Sequence, residues 1–160
     1  MGVCGCGKST IGELLAQQLS WAFRDGDDFH SPANVAKMKS GTPLNDDDRL
    51  PWLQSIRRFM NETEAAGQST VMACSSLREI YRDVLGRTQP WVRFVYLSGS
   101  RDLLSARMRA RSGHYMPPAL LDSQLATLEV PTDAITVDIA QPPGELVSEI
   151  IRRLHLVRSI

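Results

Sequence analysis

Apolar positions along this 160-residue chain alternate between short continuous runs and longer stretches spaced for one face of a helix. From Thr10 to Leu19, Ile11, Leu14, Leu15 and Leu19 recur at helical spacing, which predicts a helix with one buried stripe. The short run Trp21-Ala22-Phe23-Arg24 reads as a strand and ends in the acidic cluster Asp25-Gly26-Asp27-Asp28. Leu50–Ala66 predicts a second helix, with Pro51 near its first turn and Gly67 just past its end. Thr70–Cys74 is a buried-type strand that stops at Ser75-Ser76, and a helix follows over Leu77–Leu85. Trp91–Leu97 predicts the next strand and Arg101–Arg111 the next helix. Ala134–Ile139 gives a last strand, after which Pro142 and Pro143 precede a closing helix over Gly144–Leu154.

This alternation predicts an α/β fold, a three-layer α/β/α sandwich with a mostly parallel sheet, in a single domain over residues 1–160. In doubly wound folds a central strand feeds the first glycine-rich loop. Here Met1 opens directly on that loop, so the expectation is a sheet lacking its first strand, with two strand edges uncovered and part of the core unfilled.

Composition narrows the function classes. The formal net charge is zero, which argues against bulk attraction to nucleic acid or an anionic membrane. No apolar run approaches the roughly 20 residues that span a bilayer. No basic start followed by an apolar stretch marks a secretion signal, so the expected compartment is cytoplasmic. Cys4, Cys6 and Cys74 are too few and too odd in number for a disulfide framework, and no further Cys/His pair stands at zinc-type spacing.

Gly2-Val3-Cys4-Gly5-Cys6-Gly7-Lys8-Ser9, followed by Thr10, fits the phosphate-loop pattern G-x-x-x-x-G-K-[ST] in full. Glycines there let backbone N–H groups close around a phosphate, and the helix that follows aims its N-terminal dipole at the same anion. Lys8 is expected to bridge the β- and γ-phosphates of a bound nucleotide, and the Ser9 hydroxyl to bind Mg²⁺. The loop alone does not separate a kinase from an ATPase or a GTPase.

Asp25-Gly26-Asp27-Asp28-Phe29-His30 follows a strand, at the carboxyl edge where open α/β sheets place their ligands. A carboxylate here can take a proton from a substrate hydroxyl or hold Mg²⁺ through water. Downstream, Asp46, Asp47 and Asp48 suit a helix N-terminus, whereas Arg49 suits bidentate binding of a substrate carboxylate. Ser75, Ser76 and Arg78 end the next strand and offer further hydroxyl and cationic contacts. Arg107 and Arg111 are four apart, on one helix face, beside Ser112-Gly113-His114, which points to a lid over about residues 107–131.

In order along the chain, GVCGCGKS, DGDDFH, KMKSGTPLNDDDRLPWL, CSSLREIYRDVL, YLSGS, RMRARSGHYM, LLDSQLATLEVP and VDIAQP resemble the gluconokinases, relatives of shikimate kinase within the nucleoside-monophosphate-kinase-like P-loop fold. The resemblance runs from Met1 to about Pro143. The phosphate loop is generic; LNDDDRLPWL and SQLATLE with GHYM are specific to this family. It implies transfer of the ATP γ-phosphate to the 6-hydroxyl of D-gluconate with Mg²⁺. Lys8 and Ser9 would serve phosphates and metal, the latter with Asp25. Asp27 would hold or deprotonate the attacking hydroxyl; His30, Arg49, Ser75, Arg78 and His114 would lie near the sugar acid; Arg107 and Arg111 would belong to the lid. Such enzymes are often homodimers, although no surface stripe in the sequence marks an interface. Alternatives are a kinase of another small hydroxy acid such as shikimate, or a truncated, non-catalytic nucleotide-binding protein.

The chain departs from the family pattern at several points. Cys4 and Cys6 stand where serine is usual, Arg78 where lysine is usual, and Tyr115 where phenylalanine is common. The loop works through backbone groups, so small Cys side chains are compatible with it, with sensitivity to oxidation as a consequence. Arginine at position 78 changes the hydrogen-bond geometry offered to a substrate.

Overall fold

The glycine-rich loop leads into α1 (Lys8–Leu19), whose Ile11, Leu15, Ala16 and Leu19 are buried as the spacing predicts. The computed structural model describes residues 1–110 and 118–158. After α1 come β1 (Ala22–Asp25), a 3-10 turn (Gly26–Phe29), α2 (Pro32–Lys39), α3 (Asp46–Ala65) and β2 (Thr70–Ala73). The chain continues through α4 (Glu79–Val84), β3 (Val95–Ser98), α5 (Arg101–Ala110), α6 (Pro118–Thr127), β4 (Ile135–Asp138) and α7 (Pro143–Leu154). Among the described residues no helix is long and apolar enough to cross a membrane.

β1 and β2 pair in parallel, as do β3 and β4. Met1 and Gly2 lie between the two pairs: Met1 O accepts from Leu97 N at 3.0 Å, and Gly2 N donates to Ser75 O at 3.2 Å. The Met1 amino group donates to Val95 O at 2.6 Å. Behind this bridge a cavity of about 320 Å³ separates β2 from β3, lined by Val71, Ala73, Val95 and Leu97 of the strands and by Ile11 and Leu15 of α1. The uncovered edges expected from the sequence are therefore found as an apolar slot, spanned at one end by Met1 and Gly2.

Two apolar clusters hold the fold. One joins α1, α5, α7, β3 and β4, and takes Val3 and Cys6 of the loop into it. The other packs Trp52, Leu53 and Ile56 of α3 against Cys74, Tyr81 and Leu85. Ile56 and Leu53 are 0% and 1% exposed, so truncating either to alanine is expected to cost about 2–5 kcal/mol.

Several boundaries differ from the sequence expectation for local reasons. α3 starts at Asp46 rather than Leu50 because Asn45 and Asp48 form a reciprocal capping box. α2 was not anticipated: Ser31 caps it and Pro32 opens it, but Asn34 is its one buried residue, so it carries no apolar period. Ahead of β3, Val92 N donates to Gln89 O in a turn, and the Trp91 ring lies 4.9 Å from the Arg57 guanidinium. The strand begins only at Val95, four residues after Trp91.

Candidate active site

Gly5 and Gly7 of the phosphate loop adopt φ +80° and +94°, a left-handed conformation that favours glycine. A Cβ at Gly5 would also meet the Met108 Cγ at 2.9 Å, so the loop sits directly on α5. Val3 and Cys6 are buried beneath the loop, which leaves its backbone to face the ligand side. Cys4 N donates to Gln124 Oε1 of α6 at 2.7 Å, and Cys4 Sγ lies 3.4 Å from Met108 Sδ. Lys8 Nζ donates to Gly2 O and Val3 O, both at 3.1 Å, which folds the ammonium over the loop. Ser9, in the first turn of α1, points its hydroxyl toward the end of β1, and Thr10 is exposed.

The acidic cluster meets this loop. Ser9 Oγ donates to Asp25 Oδ2 at 3.0 Å, while Asp25 Oδ1 accepts from Asp27 N at 3.1 Å and so caps the 3-10 turn. Asp27 Oδ1 lies 3.9 Å from His30 Nε2. Partial desolvation in the cleft, and then the neighbouring Asp25 carboxylate, push Asp27 above the usual carboxylate range; the charges of His30 and Lys8 oppose the shift. The Asp27 side chain is 87% exposed, so this desolvation is shallow. His30 is the reverse case, 5% exposed and stacked on Trp52 with ring centroids 4.2 Å apart. Burial lowers its pKa, the Arg49 charge adds to that, and Nδ1 is buried without a hydrogen-bond partner among the described residues. The neutral imidazole forms a wall, held by Trp52 Nε1 donating to Gly26 O at 2.7 Å.

A third group lies at the N-terminal ends of α3 and α4. Of the three consecutive acids, Asp48 caps α3 and pairs with Lys37 at 2.5 Å, as a helix start requires. Asp46 instead faces Arg78 and Tyr81, at 2.6 and 2.5 Å, and Arg49 Nη1 reaches Tyr81 Oη at 3.4 Å. The bonds at these oxygens and at Arg78, led by that from Tyr81, hold Asp46 below the usual carboxylate range. Ser75 joins the site through its carbonyl, which binds Gly2 N. Arg82, buried behind, donates to Ser76 O at 3.0 Å and fixes the turn after β2. Cys74 is buried and burial raises its thiol pKa, which suits a core residue.

Arg107 of α5 donates to Ile139 O at 2.6 Å, and its Nη1 would lie 3.9 Å from a Cβ at Gly7, so it stands beside the phosphate loop. Arg111 and His114, expected in the lid and near the substrate, lie outside the described residues. The later part of the span expected for the lid does reach the site: besides Gln124, Glu129 accepts from Glu79 N, and its Oε1 lies 3.8 Å from Arg78 Nε. Sequence reasoning gave no role to Gln124, Glu129, Tyr81 or Arg82; SQLATLE, where the first two fall, was noted only as a family pattern.

The arrangement is that of a phosphoryl-transfer cleft: an anion-binding loop with its lysine, two hard-oxygen donors in Ser9 and Asp25, a carboxylate with an upshifted pKa, and a pair of arginines beyond it. The Shikimate kinase family model matches residues 4–154. A probable gluconokinase of Xenopus tropicalis is 43% identical over 99% of this chain and 95% of its own. A gluconokinase of Gluconobacter oxydans is 44% identical over 97% of this chain and 89% of its own. The crystal structure of a gluconokinase from Sinorhizobium meliloti superposes with a TM-score of 0.82, at 40% identity over 97% of this chain and 93% of that one. The chain belongs to the gluconokinases, kinases of the shikimate kinase family.

Proposed function

We propose that this protein transfers the γ-phosphoryl group of ATP to the 6-hydroxyl of D-gluconate, giving 6-phosphogluconate and ADP, as a cytoplasmic enzyme with a small sugar acid as its partner. The observation that carries this reading is the position of Asp27 beside the phosphate loop: Asp25 accepts from Ser9 Oγ at 3.0 Å and from Asp27 N at 3.1 Å, and Asp27 Oδ1 lies 3.9 Å from His30 Nε2. A hydroxyl held by Asp27 would face the γ-phosphate end of the loop while its carboxylate end faces Arg49 and Arg78.

The residues divide the work by chemistry. Lys8 and the loop N–H groups would neutralise the phosphate oxygens, and Arg107 would add positive charge beside Gly7. Asp27 would accept the proton of the attacking hydroxyl; its upshifted pKa makes it a better base than an ordinary carboxylate. Ser9 Oγ and Asp25 Oδ2, 3.0 Å apart, are the hard oxygen donors that suit Mg²⁺, which takes one or two carboxylates with water and phosphate oxygens. Mg²⁺, when bound, would offset the charge of the β- and γ-phosphates. His30 and Trp52 would give the sugar chain a flat, uncharged wall.

The test is an ADP-release assay with Mg-ATP and gluconate, gluconate epimers, shikimate or no acceptor. Gluconate-dependent turnover is expected. Release that depends on shikimate instead, or proceeds equally without acceptor, overturns the assignment.

A further inference from the structure

Tyr81 is a core residue whose hydroxyl surfaces where α3 and α4 begin, and it is 7% exposed. That hydroxyl donates to Asp46 Oδ1 at 2.5 Å and accepts from Arg49 Nη1 at 3.4 Å. The other Asp46 oxygen accepts from Arg78 Nη1 at 2.6 Å, and Oδ1 lies 3.9 Å from Arg49 Nη1. The guanidinium carbons of Arg49 and Arg78 lie 5.8 and 5.4 Å from the centroid of the same Tyr81 ring. Two like charges do not converge on one ring unaided. Here the ring face attracts both, and the Asp46 carboxylate between them offsets their repulsion. Both arginines remain about one-third exposed, and each guanidinium carries five N–H donors, more than these contacts use.

We infer that Tyr81 and Asp46 are positioning residues that gather Arg49 and Arg78 into one receptor for the carboxylate of the acceptor. The inference rests on the reaction proposed above and assigns the end of the site remote from Asp27. It also accounts for arginine at position 78: a guanidinium can bond Asp46 through one nitrogen, lie against Tyr81 and still present a further N–H pair, whereas an ammonium has no such fork. Glu129, 3.8 Å from Arg78 Nε, has its other oxygen on Glu79 N and so limits how far Arg78 can swing.

Steady-state kinetics of Tyr81→Phe and Asp46→Asn test this, with ATP and gluconate varied separately. Tyr81→Phe keeps the buried ring and Asp46 is exposed, so both variants should fold, as thermal melting will verify. The gluconate KM is expected to rise about tenfold in each, the loss of one charge-assisted hydrogen bond, while the ATP KM and kcat stay within about twofold. The double variant should show little more than the larger single effect, because both act through the same arginines. A gluconate KM unchanged in both variants, beside normal turnover of the unmodified protein, overturns the inference alone. Gluconate and ATP KM rising together would mean a merely structural role and overturn it too. An unmodified protein with no gluconate dependence removes the proposed reaction and this inference with it.

Discussion

The Ser9 hydroxyl donates to the Asp25 carboxylate at 3.0 Å, tying the first turn of α1 to the end of β1. One of these residues closes the phosphate loop, the other opens the acidic cluster, and their contact puts two hard oxygen donors where the triphosphate would end. Asp25 is doubly used, since its second oxygen caps the turn that carries Asp27. Asp25→Asn is therefore expected to raise the Mg²⁺ concentration needed for half-maximal turnover by about 10- to 100-fold, the usual scale for a residue that orients a metal site. A Mg²⁺ titration of turnover at saturating ATP reads this directly; an unchanged midpoint would confine Asp25 to its capping role.

Lys8 has no part in the core: among the described residues its ammonium bonds loop carbonyls, Gly2 O and Val3 O, at 3.1 Å each. Lys8→Ala should leave the melting temperature close to that of the parent. Turnover should fall by at least about 10²-fold, since a cation that meets charge developing on the phosphoryl group is removed. Retained turnover in a folded Lys8→Ala variant would sink the phosphate-loop assignment.

Asp27 should separate chemistry from binding. Asp27→Asn removes the base and keeps the shape, so kcat is expected to drop by about 10²- to 10⁴-fold with little change in ATP affinity. The acidic limb of the kcat/KM profile should also lie above the ordinary carboxylate range. Cleft desolvation and the Asp25 charge raise the Asp27 pKa, and the base must be ionised, so activity is lost as pH falls through that raised value. An equal loss of kcat and ATP affinity would make Asp27 a structural or metal-directed residue.

How much of this was legible in the sequence follows from the range of the contacts. The loop, Asp25 and Asp27 could be read because their roles depend on neighbours a few residues away and on a motif whose spacing is fixed by phosphate geometry. The capping of α3 by Asn45 and Asp48 was legible in kind, as an acidic helix start, though not in its boundary. Asp46 looked like another capping acid; its partner Tyr81 is 35 residues distant, and no local pattern joins them. Gln124 on Cys4 spans 120 residues and depends on how α6 crosses the loop, which periodicity does not encode. Helix α2 escaped because it lies on the surface with one buried side chain.

The slot between β2 and β3 encloses a titratable group. The Met1 amino group is enclosed there, donating to Val95 O, although the residue as a whole keeps some exposure. Burial lowers its pKa from 8.0 to about 6, with a smaller contribution from the Lys8 charge and opposition from Cys6. Between those values the unfolded chain holds a proton that the folded chain has released. Stability therefore rises with pH across that window, is complete above pH 8 and is lost as pH falls toward 6. Two units correspond to roughly 2–3 kcal/mol at most. His30, also lowered by burial from 6.5, adds a slope of the same sign at lower pH, so a control is needed to separate the two. Urea denaturation of the chain at pH 6.5 and pH 8, with and without Nα-acetylation, supplies it. Acetylation removes the titrating group and should flatten the rise between pH 6.5 and 8. A slope that survives acetylation there would place the proton elsewhere, and a flat profile in the free chain would mean that the amino group reaches water through the slot.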